Sequence, residues 1–436
     1  MNKIKTDILH KPINVGLMKL DSNCFVMNFD NGLGIIVDDY ELAKKFFKGL
    51  ENASVLIGEK EKELMIGLIK NKIIMFNSSQ KLRNTPIKTT VYIGVTDICN
   101  YNCVYCYGAF IRESSSIDFD YITLIDAIMK RYEVDTFVLT GGEPTLFSRV
   151  FHMAEYIKKR GIKVSLNTNG SLVDEKNVKS FKVFDYITIS LDGHNSKIND
   201  FTRGKGAFEQ TLQGIKNLCE NNIDVTVATV INKYNVSHIK ELYNFTEKLG
   251  VANHTFADCL PIGRGSKEIC LSSQEINDVN NELACLRLDS MKEQQVSFVK
   301  SSLITGSSKV SCGMGINEIY VNNIGDIYPC RMSYSSEYKI GNVFKSTRNE
   351  IDYALKTITG NLSVDNLECK SCIIKYYCGG GCRIAHSSYT GNIAVNYTGI
   401  CEIMKNQCLR LSLINAGLEG EAINYSFEQL EQFTVF

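Results

Sequence analysis

Two apolar blocks open the chain, residues 13–20 and 24–37, punctuated by Asp-Ser-Asn at 21–23 and Asp-Asn-Gly at 30–32. Runs rich in Val, Ile, Phe and Met between turn formers predict a small antiparallel meander, with Cys24 as a small core residue. Asp38 or Asp39 then precedes Leu42, Ala43, Phe46 and Phe47 at helical spacing. Leu64, Ile66, Leu68 and Ile69 predict a second helix before the apolar run 73–76, and residues 77–86 read as a linker. Six strand-like runs follow at 91–95, 136–140, 163–167, 186–191, 225–231 and 254–257. Helical patterns such as Phe208, Leu212, Ile215 and Leu218 lie between them. Strands alternating with helices predict an α/β unit with a parallel sheet, whose functional loops sit at the C-terminal ends of the strands. Ser272–Glu275 forms a capping box that opens a connecting helix, and residues 319–328 predict a hairpin. The chain therefore divides into an N-terminal unit (1–85), a central unit (88–260), a connector (261–304), a cysteine-rich unit (305–408) and a polar helical tail (409–436).

Composition narrows the class. With 436 residues, 44% of them hydrophobic, the chain can bury the cores of several domains. No segment reaches membrane-spanning length and the first residues have no apolar signal core, so a cytoplasmic protein without a membrane partner is expected. In that reducing setting, sixteen cysteines at short spacings predict metal binding rather than disulfides. Lys plus Arg and Asp plus Glu balance at 48 each, which argues against a nucleic-acid partner. His152, His194, His238 and His254 show no ligand spacing, and Cys219, Cys259, Cys270 and Cys285 are expected to be structural.

The candidate chemistry starts after the first strand of the central unit. Cys99, Cys103 and Cys106, at Cys-x3-Cys-x2-Cys, can ligate three irons of a four-iron cubane and leave one open. Zinc usually takes four ligands from Cys-x2-Cys pairs, which this loop lacks. This spacing, with Tyr105 before the last Cys, resembles the signature loop of radical S-adenosylmethionine (radical SAM) enzymes. The resemblance implies a partial (β/α)6 barrel, and further matches fall strand by strand. Gly141, Gly142, Glu143 and Pro144 follow the second strand, where glycines admit a ligand and Glu143 offers a carboxylate to the SAM ammonium. Asn167 and Asn169 end the third strand, and Ser190 and Asp192 end the fourth, with short polar side chains suited to ribose hydroxyls or a carboxylate. Arg203 is a candidate fork for the SAM carboxylate. Pro-Ile-Gly-Arg-Gly at 261–265 resembles a turn common in the cluster-rich branch of the family.

The cysteine-rich unit carries Gly-Asp-Ile-Tyr-Pro-Cys at 325–330 and a Cys-Lys-Ser-Cys to Cys-Gly-Gly-Gly-Cys run at 369–382. It resembles the SPASM domain, a seven-cysteine extension with two auxiliary four-iron clusters. Carried over residue by residue, the resemblance implies an outer cluster on Cys369, Cys372, Cys378 and Cys401. It implies an inner cluster on Cys312, Cys330 and Cys382, one ligand short. Together these imply SAM and three [4Fe-4S] clusters as cofactors.

The order of elements in residues 1–85 resembles the winged-helix-like recognition element of peptide-modifying enzymes, implying that a precursor peptide's leader adds to a strand edge. The expected activity is a Cys thioether crosslink in a ribosomal peptide, as in sactipeptide and ranthipeptide synthases, with an electron donor such as flavodoxin or ferredoxin. Carbon-carbon crosslinking is an alternative. An anaerobic sulfatase-maturating enzyme is a weaker one, because its resemblance includes an Asp base where this chain has Arg331. No residue stands out as the proton acceptor.

Overall fold

The computed structural model describes residues 2–5, 9–10, 14–20, 23–51, 54–76, 89–108, 119–292, 309–360, 362–416 and 434–435. The linker expected at 77–86 lies outside them. Short strands β1 (Asn2–Lys5) and β2 (Leu9–His10) precede the meander β3 (Val15–Lys19), β4 (Cys24–Asn28) and β5 (Leu33–Val37). Helix α1 (Tyr40–Glu51), β6 (Ser54–Ile57), α2 (Glu59–Lys70) and β7 (Met75–Phe76) complete this unit. Alternation sends Val15, Leu17, Cys24 and Val26 to one face, under Ala43, Phe46, Phe47, Leu64 and Leu68 of the two helices. Met18, Phe25 and Met27 point the other way and, with Phe29, pack on Ile374, Tyr377, Leu409 and Leu413 from far along the chain.

In the central unit, β8 (Thr89–Thr96), α3 (Tyr121–Met129), β9 (Val134–Gly141), α4 (Val150–Lys158), β10 (Lys163–Thr168) and β11 (Tyr186–Ser190) come first. Then follow α5 (Ser196–Arg203), α6 (Ala207–Glu220), β12 (Val225–Ile231), α7 (Ile239–Lys248) and β13 (Asn253–Asp258). The six strands are parallel and lie side by side in chain order. Val91, Ile93, Phe137, Leu139, Val164, Leu166, Ile187 and Ile189 form the helix-covered core. By the two-residue period, Tyr92, Gly94, Asn167 and Ser190 face the opposite side of the sheet.

After the connecting helix α8 (Ser273–Lys292) come β14 (Glu318–Asn322), β15 (Asp326–Tyr328) and β16 (Gly341–Asn342). The hairpin expected within a separate cysteine-rich unit instead extends the central sheet, because β14 pairs in parallel with β8. Ile319 and Val321 share the core of Val91 and Ile93, so burial continues across the junction. Helices α9 (Arg348–Thr359), α10 (Lys375–Cys378), α11 (Arg383–Thr390) and α12 (Thr398–Asn415) follow. Strand β17 (Thr434–Val435) closes the description by pairing antiparallel with β3.

Helix α12 crosses the boundary drawn at 408/409, and its C-terminal half is not a solvated tail: Leu409 and Leu413 are buried against the N-terminal sheet. Arg410 and Ser412, alternating with Leu409, Leu411 and Leu413, hid this apolar stripe. Leu413→Ala should cost about 2–5 kcal/mol, as truncating a buried Leu does. Denaturant unfolding checks this; a change under about 0.5 kcal/mol is what an exposed tail residue would give.

Candidate cluster and cofactor site

The loop carrying Cys99, Cys103 and Cys106 leaves β8 with almost no regular structure, so its shape is set by what grips it. Gly142 N–H donates to Thr96 O at 2.6 Å and Glu143 N–H to Ile98 O at 2.8 Å, both from the end of β9. From the end of α5, Thr202 O accepts from Val104 N–H at 2.9 Å and Arg203 O from Asn102 N–H at 3.4 Å. Beyond β13, Arg264 donates its backbone N–H to Cys106 O at 3.0 Å and its Nε–H to Cys103 O at 2.9 Å. From the end of β10, Asn169 Nδ2 donates to Asn100 Oδ1, and Asn100 Nδ2 donates to Ser171 Oγ, each at 2.8 Å. The approach at β9 is too close for any other residue: a Cβ on Gly142 would lie 2.1 Å from Ile98 O.

The proposed SAM contacts separate into two groups. Glu143, Asn169, Asp192, Arg203 and Tyr105 are engaged with their own chain. The buried Glu143 carboxylate accepts from Thr145 N–H, Thr145 Oγ1–H, Thr168 Oγ1–H and Asn169 N–H. Burial raises its pKa, and these donors oppose the rise. Three of the four bonds fall on Oε1, so Oε2 is the oxygen with room for a further donor. Asp192, 0% exposed, accepts from Tyr105 Oη–H, Thr202 Oγ1–H, Val230 N–H and Arg203 Nη2–H. Arg203 Nε also lies 2.7 Å from Asp192 Oδ2, an ion pair sealed from solvent. Burial disfavours the Arg203 cation, but Asp192, Tyr105 and Cys103 together outweigh it and raise the pKa. Arg203 Nη1 is left facing Cys103 Sγ at 4.0 Å. The second group is Asn167 and Ser190, half-buried at strand ends, whose side chains make no hydrogen bond among the described residues. Sequence reasoning missed Asn100, which carries no signal, and passed over Arg264 although it stands in the quoted 261–265 turn.

Burial pushes the Cys99 thiol up to about 11 and raises Cys103, so these two need a strong cation to ionise. No three His, Cys, Asp or Glu side chains among the described residues converge on a single-ion site. In the C-terminal region, Cys378 and Cys401 lie in electrostatic reach of Cys369 and Cys372, and Cys382 in reach of Cys312 and Cys330. Gly379, Gly380 and Gly381, all with φ between +65° and +83°, carry the chain around from Cys378 to Cys382. These all-cysteine donor sets fit iron-sulfur clusters.

The radical SAM superfamily model matches residues 93–246. A cysteine-type anaerobic sulfatase-maturating enzyme of Clostridium novyi (strain NT) is 31% identical over 319 residues, 65% of this chain and 85% of the relative. The chain belongs to the radical SAM superfamily. Its members use SAM and a four-iron cluster, which makes this radical SAM protein an enzyme. The subtilosin biosynthesis protein AlbA of Bacillus subtilis (strain 168) is 24% identical over 306 residues, 66% of each chain. In fold, it is similar to Streptococcus suis SuiB, solved bound to the precursor peptide SuiA. That match has TM-score 0.59 and 16% identity, covering 92% of this chain and all of SuiB. Among the described residues, no helix is long and apolar enough to cross a membrane.

Asp192→Asn would leave the Arg203 cation buried without a counter-charge. It should cost about 3–5 kcal/mol and loosen the cluster loop through Thr202 and Arg203. Thermal unfolding and iron retained after reconstitution are the measurements, and wild-type values for both would show that the pair does not anchor the loop.

Proposed function

We propose that this radical SAM enzyme matures a ribosomally made peptide by forming a Cys thioether crosslink. The observation that carries the reading is the uneven division of the C-terminal thiols. Cys369, Cys372, Cys378 and Cys401, with Cys408 in electrostatic reach of them, group together, whereas among the described residues only Cys312, Cys330 and Cys382 form the other set, so a cluster there would be one cysteine ligand short. A substrate Cys supplies the missing ligand chemistry, since thiolate is a soft ligand suited to iron-sulfur centres. Bound SAM would supply the radical chemistry that takes one hydrogen atom from a substrate carbon. The substrate thiol would lose its proton on binding as thiolate, and joining its sulfur to the carbon would release one electron to the cluster held by Cys312, Cys330 and Cys382, so the peptide loses two hydrogens in all. The protein's part is placement. Glu143 Oε2 would take the SAM ammonium, Asn167 and Ser190 would offer it free polar groups, and the Arg203 Nη1 edge supplies positive charge beside Cys103, while Gly141 and Gly142 let the cluster loop approach β9.

The N-terminal sheet supports leader recognition by strand addition. Its β3 edge is taken by the chain's own Thr434–Val435, and among the described residues the β5 edge (Leu33–Val37) has no strand partner, so it is the edge we assign to an extended peptide. The sulfatase-maturase reading has the Clostridium novyi similarity in its favour. Against it, Arg331 occupies the position of that family's Asp base and bonds Glu318 Oε2 at 2.8 Å and Tyr92 Oη at 3.1 Å. We assign the enzyme to the cytoplasm, with flavodoxin or ferredoxin as electron donor and about twelve irons in three clusters.

The test is coexpression with a Cys-containing precursor, followed by mass and fragmentation analysis. The expected product is about two mass units lighter with a Cys sulfur bonded to carbon; crosslinking of a Cys→Ser core would establish carbon-carbon chemistry instead. Replacing Cys99, Cys103 and Cys106 by Ala should leave about eight irons and no SAM cleavage. For the leader, hydrogen exchange should slow at residues 33–37 on binding, and protection confined to other strands would overturn the docking edge.

A further inference from the structure

Arg383, the residue after Cys382, is the largest fully buried side chain, 1% exposed. Its donors are all used: Nε on Ile393 O at 2.7 Å, Nη1 on Gly380 O at 2.8 Å and Asn396 Oδ1 at 2.9 Å, and Nη2 on Val395 O at 3.0 Å. Every one of these acceptors is neutral. No carboxylate pairs with this guanidinium among the described residues, whereas the buried Arg203 has Asp192. An isolated cation in a protein interior is strongly unfavourable, so a counter-charge must stand nearby.

The thiols supply it. Cys369, Cys378 and Cys401 of the outer set and Cys312 of the inner set all lie in electrostatic reach of Arg383. Asn396 ties the cation to one of them, accepting from Arg383 and donating Nδ2–H to Cys369 Sγ at 3.3 Å. The guanidinium therefore has thiols of both cysteine sets in electrostatic reach.

We propose that Arg383 is the shared counter-ion of the two auxiliary clusters and holds their reduction potentials up, with Asn396 relaying its charge to Cys369. Adding an electron makes a cluster more negative, and a fixed cation in a low-dielectric setting favours that form. Arg383 is thus a positioning and tuning residue for electron removal, not a group that touches substrate. This inference rests on the reading that these seven cysteines hold two clusters.

The experiment is a redox titration of the reconstituted protein, followed by the electron paramagnetic resonance of the auxiliary clusters, with iron counted in each sample. Arg383→Gln removes the charge and should lower the auxiliary midpoint potentials, while Arg383→Lys should stay near wild type. Asn396→Asp adds a negative charge at Cys369 and should lower the potentials too, which decides the matter if Arg383→Gln fails to fold. The signal of the Cys99, Cys103 and Cys106 cluster should not move in any variant. Unshifted auxiliary potentials in Asn396→Asp and in any folded Arg383→Gln, at full iron content, would overturn the counter-ion role. Wild-type protein holding only about four irons would instead overturn the two-cluster reading on which it rests.

Discussion

Everything at the N-terminal cluster site depends on backbone hydrogen bonds that grip a loop with no regular structure of its own. Between Thr96 and Cys106, carbonyls and amides of the loop are matched by groups from the ends of β9, α5 and the turn beyond β13. Each grip comes from a different strand or helix end, so the loop inherits the rigidity of the sheet. A flexible loop could bring three thiols together only by losing conformational entropy at the moment of binding; here that ordering is done by folding. The close approach also explains the side-chain choices: Gly142 must lack a Cβ, and Arg264 reaches Cys103 O with a donor that a shorter residue could not extend.

The same sheet fixes the C-terminal cysteines relative to this loop. Because β14 pairs with β8, Cys330 follows a hairpin bonded to the strand that leads into Cys99. Arg331 returns to Tyr92 on β8, and Tyr334 Oη bonds both Asp97 carboxylate oxygens at 3.2 Å, two residues before Cys99. Tyr320 and Tyr328 pack on Tyr334 with ring centroids 5.1 Å away in each case. An aromatic and polar wall thus joins the two cysteine-bearing loops, with spacing set by strand register rather than by a hinge.

The six parallel strands were legible because each is a short apolar run bounded by turn formers, and pattern alone separates such runs from helices. The hairpin was legible for the same reason, but its partner was not: nothing in residues 318–322 says that β8 is the neighbour, since parallel pairing is a long-range choice. Glu143, Asp192 and Arg203 were singled out by type and position. What could not be read is that they chiefly satisfy one another and their loops, because hydrogen-bond partners at separations such as Asp192 with Val230 depend on tertiary placement. Asn167 and Ser190, by contrast, stand at the strand ends where alternation places them. The buried half of α12 was missed because its apolar positions contact the N-terminal sheet, hundreds of residues away in sequence.

Arg203 and Arg383 show two ways of keeping a cation inside a protein. Arg203 carries its counter-charge within the chain, so the loop it braces can be shaped before any cofactor arrives. Arg383 relies on neutral acceptors and on cysteines, which bear full negative charge only when deprotonated by a metal. On the two-cluster proposal, folding of the C-terminal region would be linked to cluster insertion through electrostatics as well as through ligation. Without metal, a desolvated guanidinium opposes compaction; with it, the same charge would favour the closed arrangement. The loop at Cys99 is preorganised by its own carboxylate, Asp192, whereas among the described residues Arg383 has none.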